Sequence, residues 1–207
     1  MIIFATKNKD KLKEIQKIIP GVIAMDDAGY GHIQVVEDGK TYKENAAKKA
    51  YAVMIESGKP VLSDDSGIEI AFFNGEPGVN TADWLGGNAR YKERNLEIIE
   101  RMKDATDRKA FYTCTIALFL PNINQCKNNQ EPWEKYEHFF TTGTLACEIA
   151  EKPQGTGGFA YDEIAYLKSY QKTMAELTLD EKNKISHRNM ALQKMKNILK
   201  ELELEKA

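Results

Sequence analysis

Residues 2–21 read as strand, polar loop and helix in immediate succession, and this opening constrains the fold more than any other feature of the chain. Ile2 to Ala5 is a short apolar run that ends in Thr6-Lys7-Asn8, as a buried strand running into a turn would. Leu12, Ile15, Ile18 and Ile19 then recur on one helical face, with Lys11, Lys13, Glu14 and Lys17 as its polar residues, until Pro20-Gly21 stops the helix. A strand that feeds a helix through a polar loop is the start of an α/β unit. In open α/β sheets, ligands gather at the carboxyl ends of strands, where loops meet helix N-termini.

The rest of the chain continues in this way. Thr41-Tyr42-Lys43-Glu44 has the pattern of a capping box, followed by an apolar stripe of Ala46, Ala47, Ala50, Val53 and Met54 and a stop at Gly58 and Pro60. Val61-Leu62 begins a strand that runs into Ser63-Asp64-Asp65-Ser66-Gly67; Ile68 to Phe73 reads as extended again, and Gly75, Pro77 and Gly78 mark a loop. A helix is expected over 92–104, with Leu96, Ile98, Ile99 and Met102 apolar. Ala110 to Leu120 and Tyr136 to Ile149 are rich in β-branched and aromatic residues and can pair as a long hairpin, with the polar, Asn-rich stretch 121–132 as an exposed loop. A second Gly-rich loop lies at 152–158. A last helix is expected from about Ser186, with Ala191, Leu192, Met195, Ile198, Leu199 and Leu202 as its stripe.

Composition narrows the function classes. With 207 residues, 42% of them hydrophobic, the chain can bury a sizeable core as one domain over 1–207. A formal net charge of -2 argues against a general nucleic-acid binder, though not against a small anionic ligand held by a local cluster. Cys114, Cys126 and Cys147 are odd in number and widely spaced, and they form neither a disulfide framework nor a zinc motif. The N-terminal apolar run is too short for a signal peptide, and no stretch approaches the roughly 18 apolar residues of a membrane span. These features lead us to expect a cytosolic protein with no membrane partner.

Four clusters could do chemistry. Thr6-Lys7-Asn8-Lys9-Asp10-Lys11 offers a hydroxyl, an amide and ammonium groups before a helix N-terminus, a plausible phosphate cradle that is not a P-loop. Alone, it also fits a solvated turn. In Ser63-Asp64-Asp65-Ser66-Gly67, strand alternation should send the two carboxylates to opposite sides, one towards a metal and one towards hydrogen bonds; an Asp-rich turn is the plainer alternative. Gly155 to Asp162 lets backbone approach a ligand and presents Phe159 or Tyr161 as a flat face for a base, although tight turns also use such sequences. Finally, Ser186 is a natural N-cap. It would place His187 and Arg188 in a first turn, where the helix dipole disfavours cations, and this points to an anionic or acceptor-rich partner, although alone the cluster also fits a surface helix start.

The four clusters occur in an order that resembles the inosine triphosphate pyrophosphatase family. The resemblance runs from Phe4 to about Leu192, on ATKNKDKLKEI, EDGKTYKENAAKKA, LSDDSGIEI, GEPGVNTA, PQGTGGFAYD and TMAELTLDEKNKISHR. It implies an α/β fold with a long mixed, twisted central sheet and flanking helices in two lobes, an active-site cleft between them, and a homodimer. It further implies Mg²⁺-dependent hydrolysis of non-standard purine nucleoside triphosphates such as ITP, dITP and XTP to the monophosphate and pyrophosphate. Thr6, Lys7, Asn8, Lys11 and Lys49 would hold the triphosphate, Lys49 lying one helical turn past Asn45. Asp65 would be the catalytic and metal-binding carboxylate, with Ser66 beside it and Glu37 as second metal ligand. Phe159 would stack on the base, and Ala160, Tyr161, Asp162, Lys182, His187 and Arg188 would line its pocket. Arg188, pointing outwards, would donate to the 6-oxo group, which adenine lacks.

The chain departs from the family pattern at several positions. Lys7 stands where Gly is common, Val36 precedes Glu37 where the metal glutamate usually lies, Asp83 replaces an Arg, and FGYDP has become FAYDE with Ala160 and Glu163. Two rivals stay open from sequence. One is a Maf-like nucleotide pyrophosphatase, which prefers an S-x-x-R start over the T-x-N-x-x-K found here. The other is a nucleotide-binding protein with weakened catalysis.

Overall fold

The computed structural model describes residues 1–82, 84–86, 89–123 and 131–204. In chain order its regular elements are β1 (Ile2–Phe4), α1 (Lys9–Ile18), β2 (Val22–Ala24), α2 (Tyr42–Ser57), β3 (Val61–Ile70), α3 (Tyr91–Arg101), β4 (Lys109–Ile123), β5 (Tyr136–Ile149), β6 (Ala165–Leu167), β7 (Lys172–Thr173), α4 (Leu179–Ile185) and α5 (His187–Glu201). The strands form one mixed sheet in the order β2-β1-β3-β4-β5-β6-β7. β1 is parallel to both β2 and β3, so the expected strand–loop–helix opening runs on into a strand, β2, that is absent from the expected elements. β6 is antiparallel to β5 and to β7. Side-chain contacts between Thr115 and Thr142 and between Asn122 and Glu137 step in opposite directions along β4 and β5, as in the expected hairpin.

By contacts, the chain divides into two compact units that interleave in sequence. The first comprises Met1–Asp65, Cys114–Gly143 and Arg188–Ala207; the second comprises Ser66–Thr113 and Thr144–His187. In the first unit the strands are apolar on both faces. Ile2, Phe4, Leu62, Ile116, Leu118 and Leu120 pack with α1 and α5 residues such as Ile15 and Leu192. Their alternating neighbours Ile3, Ala5, Val61, Ala117 and Phe119 pack with Ala46, Ala47, Ala50, Val53 and Met54 of α2. The second unit has its own core, in which Ile68, Ile70, Ile98, Met102, Tyr112, Ile149, Tyr161 and Met174 meet. Among the described residues no helix is long and apolar enough to cross a membrane.

Local signals set most of the boundaries. Thr41 caps α2 through its hydroxyl and the Glu44 N–H (3.1 Å), while the Glu44 carboxylate takes the N–H of Lys40, one residue earlier than a capping box would use. Gly58 closes α2 in the left-handed conformation (φ 59), its N–H returning to Met54. Three expectations need correction. Val61–Ile70 is one continuous strand through Ser63-Asp64-Asp65-Ser66-Gly67, and it ends in a 3₁₀ turn at Ala71–Phe73 instead of extending to Phe73. β4 runs on to Ile123, so Pro121, Asn122 and Ile123 belong to the strand; residues 124–130 of the expected loop, like Asp83, lie outside the described residues. On α3 the buried face is Arg94, Asn95, Ile98 and Met102, while Leu96 is exposed, because the helix phase puts i, i+4 and i+8 from Arg94 inward. Cys114 and Cys147 are free and buried, and Cys126 is also outside the described residues.

The α2 terminus gives a stability prediction. A side chain at Gly58 meets no atom within 4 Å, so Gly58→Ala tests the left-handed backbone alone. The variant should lose about 1 kcal/mol, read as a lower urea midpoint at unchanged slope. An unchanged midpoint would mean that α2 does not end in this conformation.

Candidate active site

The candidate residues fall into two sets, one in each unit. The first set gathers beyond the end of β1 and around the middle of β3. After β1, the Thr6 hydroxyl accepts the Asn8 N–H (3.1 Å), and the Asn8 side-chain oxygen accepts the N–H groups of Asp10 and Lys11, capping α1. The Asn8 oxygen is therefore committed to the helix cap, so a ligand would meet its NH₂ group. Lys7 is exposed on this loop.

Lys11 reaches across to Asp64, its ammonium 3.0 and 3.1 Å from the two carboxylate oxygens. Arg188 grips the same carboxylate from α5 through Nε (3.2 Å) and Nη2 (3.1 Å), and its Nη1 donates to Glu14 of α1 at 2.6 Å. Asp64 is 1% exposed and Arg188 2%. Burial alone would raise the Asp64 pKa, but Lys11, Arg188 and Lys49 outweigh it and hold the carboxyl far below the usual range. Arg188 thus faces inward, onto carboxylates of its own unit. The expected outward orientation is overturned, and the acceptor-rich partner that its place in a first turn called for is Asp64 with Glu14.

Asp65, the next residue of β3, diverges from Asp64 as strand alternation requires. Asn45 and Lys49, one turn apart on α2, both reach it. The Asn45 NH₂ donates to Oδ2 (3.1 Å), and the Lys49 ammonium stands 3.7 Å from Oδ1. Lys49 also bonds the Glu37 carboxylate, so one ammonium serves both carboxylates proposed for a metal. Burial works against that ammonium, yet Asp65, Asp64 and Glu37 together raise its pKa above the lysine norm. Burial pushes the Asp65 carboxyl up, and Lys49, Lys11 and the Asn45 bond offset this only in part. The two adjacent aspartates are therefore shifted in opposite directions, and of the pair only Asp65 has its proton affinity raised.

The second set is built on the 155–162 loop and α4. Gly158 has φ 76, and a Cβ there would collide with the Asp162 carboxylate; Gly155 lies as closely against the Ala175–Glu176 backbone. Ala160 adopts φ 57, which L-residues rarely do, and its carbonyl accepts the Asn95 amide (3.1 Å). Tyr161 is fully buried, its hydroxyl donating to the Thr81 carbonyl, so it supports the loop from within. One oxygen of Asp162 accepts the Phe159 N–H (2.8 Å) and the Lys182 ammonium (2.9 Å). That ammonium lies 4.4 Å from the centre of the Phe159 ring. Lys182 is placed by α4, a short helix with a Thr178/Glu181 capping box that is absent from the expected helices. Ser186, with φ -64 and ψ 148, stands between α4 and α5 just before His187, and Ser66 continues β3 beyond Asp65, half-buried.

Three participants are not apparent from sequence. Glu14 reads as a solvated helix residue but is buried against Arg188; its place three residues after Lys11 was the available signal. Asn45 serves in the sequence only as a reference for Lys49, although it ties Asp65 to the Gly39 N–H (2.8 Å) beside Glu37. Tyr112 bonds Asp162 and stacks on His187, and nothing in a β-branched, aromatic strand singles it out.

Comparison with known proteins agrees with the motif order. The sequence matches the Ham1 family over residues 2–198. A dITP/XTP pyrophosphatase of Geobacter sulfurreducens is 36% identical over 204 residues, covering 96% of each chain. The structure superposes on a HAM1 protein from Coxiella burnetii with TM-score 0.81 at 36% identity, covering 97% of this chain and 98% of that one. The Staphylococcus aureus Ham1 protein gives TM-score 0.81 at 31% identity, covering 96% and 97%.

The unlike environments of the two aspartates predict unlike stability effects. Asp64→Asn leaves buried cations without their counter-charge and should cost about 3–5 kcal/mol. Asp65→Asn removes a carboxylate that burial disfavours and should change stability by less than about 1 kcal/mol. Because the folded pKa of Asp64 is depressed, its stabilisation is complete above the ordinary aspartate value of 3.8 and is lost as pH falls below it. The gap between wild type and Asp64→Asn should therefore narrow in acid. Urea denaturation of both variants across pH checks this, and equal losses would contradict it.

Proposed function

The chain belongs to the Ham1 family and is a nucleoside triphosphate pyrophosphatase, and from that premise we propose that it hydrolyses dITP, ITP and XTP with Mg²⁺ held at Asp65 and Glu37. What carries this reading is the Asp65 carboxylate, clasped by Asn45 and Lys49 on one face of α2 with its proton affinity raised. Such a group can take the proton of a water attacking the α-phosphorus. A new P–O bond then forms, the bond to the β-phosphate bridging oxygen breaks, and pyrophosphate leaves with the charge.

The donor set fits a divalent metal. Asp65 and Glu37 converge on one positive charge, that of Lys49, and Mg²⁺ is commonly held by one or two carboxylates together with waters and substrate phosphates. Among the described residues no larger cluster of His, Cys, Asp and Glu competes for it. Bound there, Mg²⁺ would supply charge neutralisation and polarise the phosphate. Thr6, Lys7, Asn8, Lys11 and Lys49 bring hydroxyl, amide and ammonium donors to the triphosphate. Asp64, fixed between Lys11 and Arg188, sets where the Lys11 charge stands.

The base falls to the second set. Phe159 offers a ring for stacking on a loop that Ala160, Tyr161 and Asp162 shape, and Lys182 and His187 are the donors nearest to hand for a 6-oxo acceptor. Arg188, which grips Asp64, is assigned to holding that carboxylate instead of reading the base. The whole of 1–207 serves this one activity, as a cytosolic homodimer acting on a small-molecule nucleotide and not on nucleic acid. The family resemblance and the net charge of -2 support that setting.

A pyrophosphate-release screen across nucleoside triphosphates tests the reading. ITP, dITP and XTP should exceed ATP, with turnover lost on chelation and reduced about 10²- to 10⁴-fold in Asp65→Asn. In the same screen Arg188→Ala should slow all substrates alike. Full turnover after chelation, or wild-type rates in Asp65→Asn, would refute the assignment.

A further inference from the structure

Asp162 is 4% exposed, and its two oxygens are used differently. One carries the Phe159 N–H and the Lys182 ammonium. The other meets a single donor among the described residues, the hydroxyl of Tyr112 on β4, at 3.3 Å. The Tyr112 ring in turn lies flat against the His187 imidazole, with centroids 4.7 Å apart and planes 9° from parallel. One side chain therefore touches both ends of the second set, the loop that presents Phe159 and the residue that opens α5. Burial, and then the Asp162 charge, hold the Tyr112 phenol well above its ordinary pKa, so it stays protonated and can donate.

We propose that Tyr112 is a positioning residue of the nucleobase site: its hydroxyl fixes the Asp162 carboxylate so that the other oxygen can hold Phe159 and Lys182, and its ring fixes the plane of His187. The proposal rests on the reading of this set as the base site. A carboxylate with donors on one oxygen only can rotate about its last bond, and each rotation disturbs the Phe159 N–H contact and draws the Lys182 ammonium away from the ring. The bond from Tyr112 removes that freedom. Because the hydrogen-bond and ring partners of Tyr112 among the described residues, Asp162 and His187, both belong to the second set, its loss should weaken base binding and spare the chemical step.

The experiment compares steady-state ITP hydrolysis by Tyr112→Phe, Asp162→Asn and the double variant, with Phe159→Ala as a control and the inhibition constant of tripolyphosphate as a second readout. Tyr112→Phe keeps the ring and deletes only the hydroxyl. It should raise the ITP KM about three- to tenfold, with kcat within about twofold of wild type and tripolyphosphate inhibition unchanged. In the Asp162→Asn background the same substitution should add little, since the partner charge is already gone. Tyr112→Leu, which also removes the stacking surface, should raise KM further. An unchanged KM in Tyr112→Phe, equal losses in kcat and tripolyphosphate binding, or full additivity with Asp162→Asn would overturn the proposal. If Phe159→Ala also leaves the ITP KM unchanged, the base-site reading fails with it. If Phe159→Ala raises KM and Tyr112→Phe does not, only the role of Tyr112 falls.

Discussion

The grip of Lys11 and Arg188 on Asp64 is the interaction on which the rest of the first unit depends. It brings three distant stretches of sequence together at one buried carboxylate: the start of α1, the middle of β3 and the first turn of α5. A carboxylate at that depth is tolerable only with cations against it, and cations at that depth only with the carboxylate. Glu14 completes the arrangement by taking the remaining face of the guanidinium. Once Asp64 is fixed, strand alternation leaves Asp65 no choice of direction. It turns towards α2, where Asn45 and Lys49 wait one helical turn apart. The two neighbours thus differ: one is a buried anion that anchors Lys11, and the other is a carboxylate whose burial raises its proton affinity.

The second unit repeats this logic around Asp162. A single buried carboxylate collects an ammonium, a backbone N–H and a phenol, and so ties the glycine-rich loop to α4 and β4. The loop's unusual backbone, with Gly158 and Ala160 both at positive φ, brings Phe159 and the Asp162 carboxylate into register. In both units one buried carboxylate organises side chains from elements that are remote in sequence.

Much of this is legible in the sequence. The capped starts and glycine stop of the early helices, the α2 and α5 stripes and the divergence of Asp64 and Asp65 all follow from local periodicity and cap chemistry. What is not legible depends on tertiary partners. The run from Ser63 to Gly67 has turn-like composition, yet burial in the middle of a sheet makes it a strand. Arg188 and Glu14 each look solvated on their own helices and are buried only because they meet. The direction of a long cationic side chain depends on where the nearest anion lies in space, which helix phase does not encode. Tyr112 likewise owes its role to a loop fifty residues downstream of it in the chain.

That the adjacent aspartates have oppositely shifted proton affinities, Asp64 lowered and Asp65 raised, is tested most directly by carbon NMR of aspartate carboxyls in the metal- and nucleotide-free protein, assigned through Asp64→Asn and Asp65→Asn. The Asp65 signal should titrate above the ordinary aspartate range, and the Asp64 signal should stay in its ionised position down to the lowest pH at which the fold survives. Titration of both near the ordinary value, or the reverse order, would contradict the account.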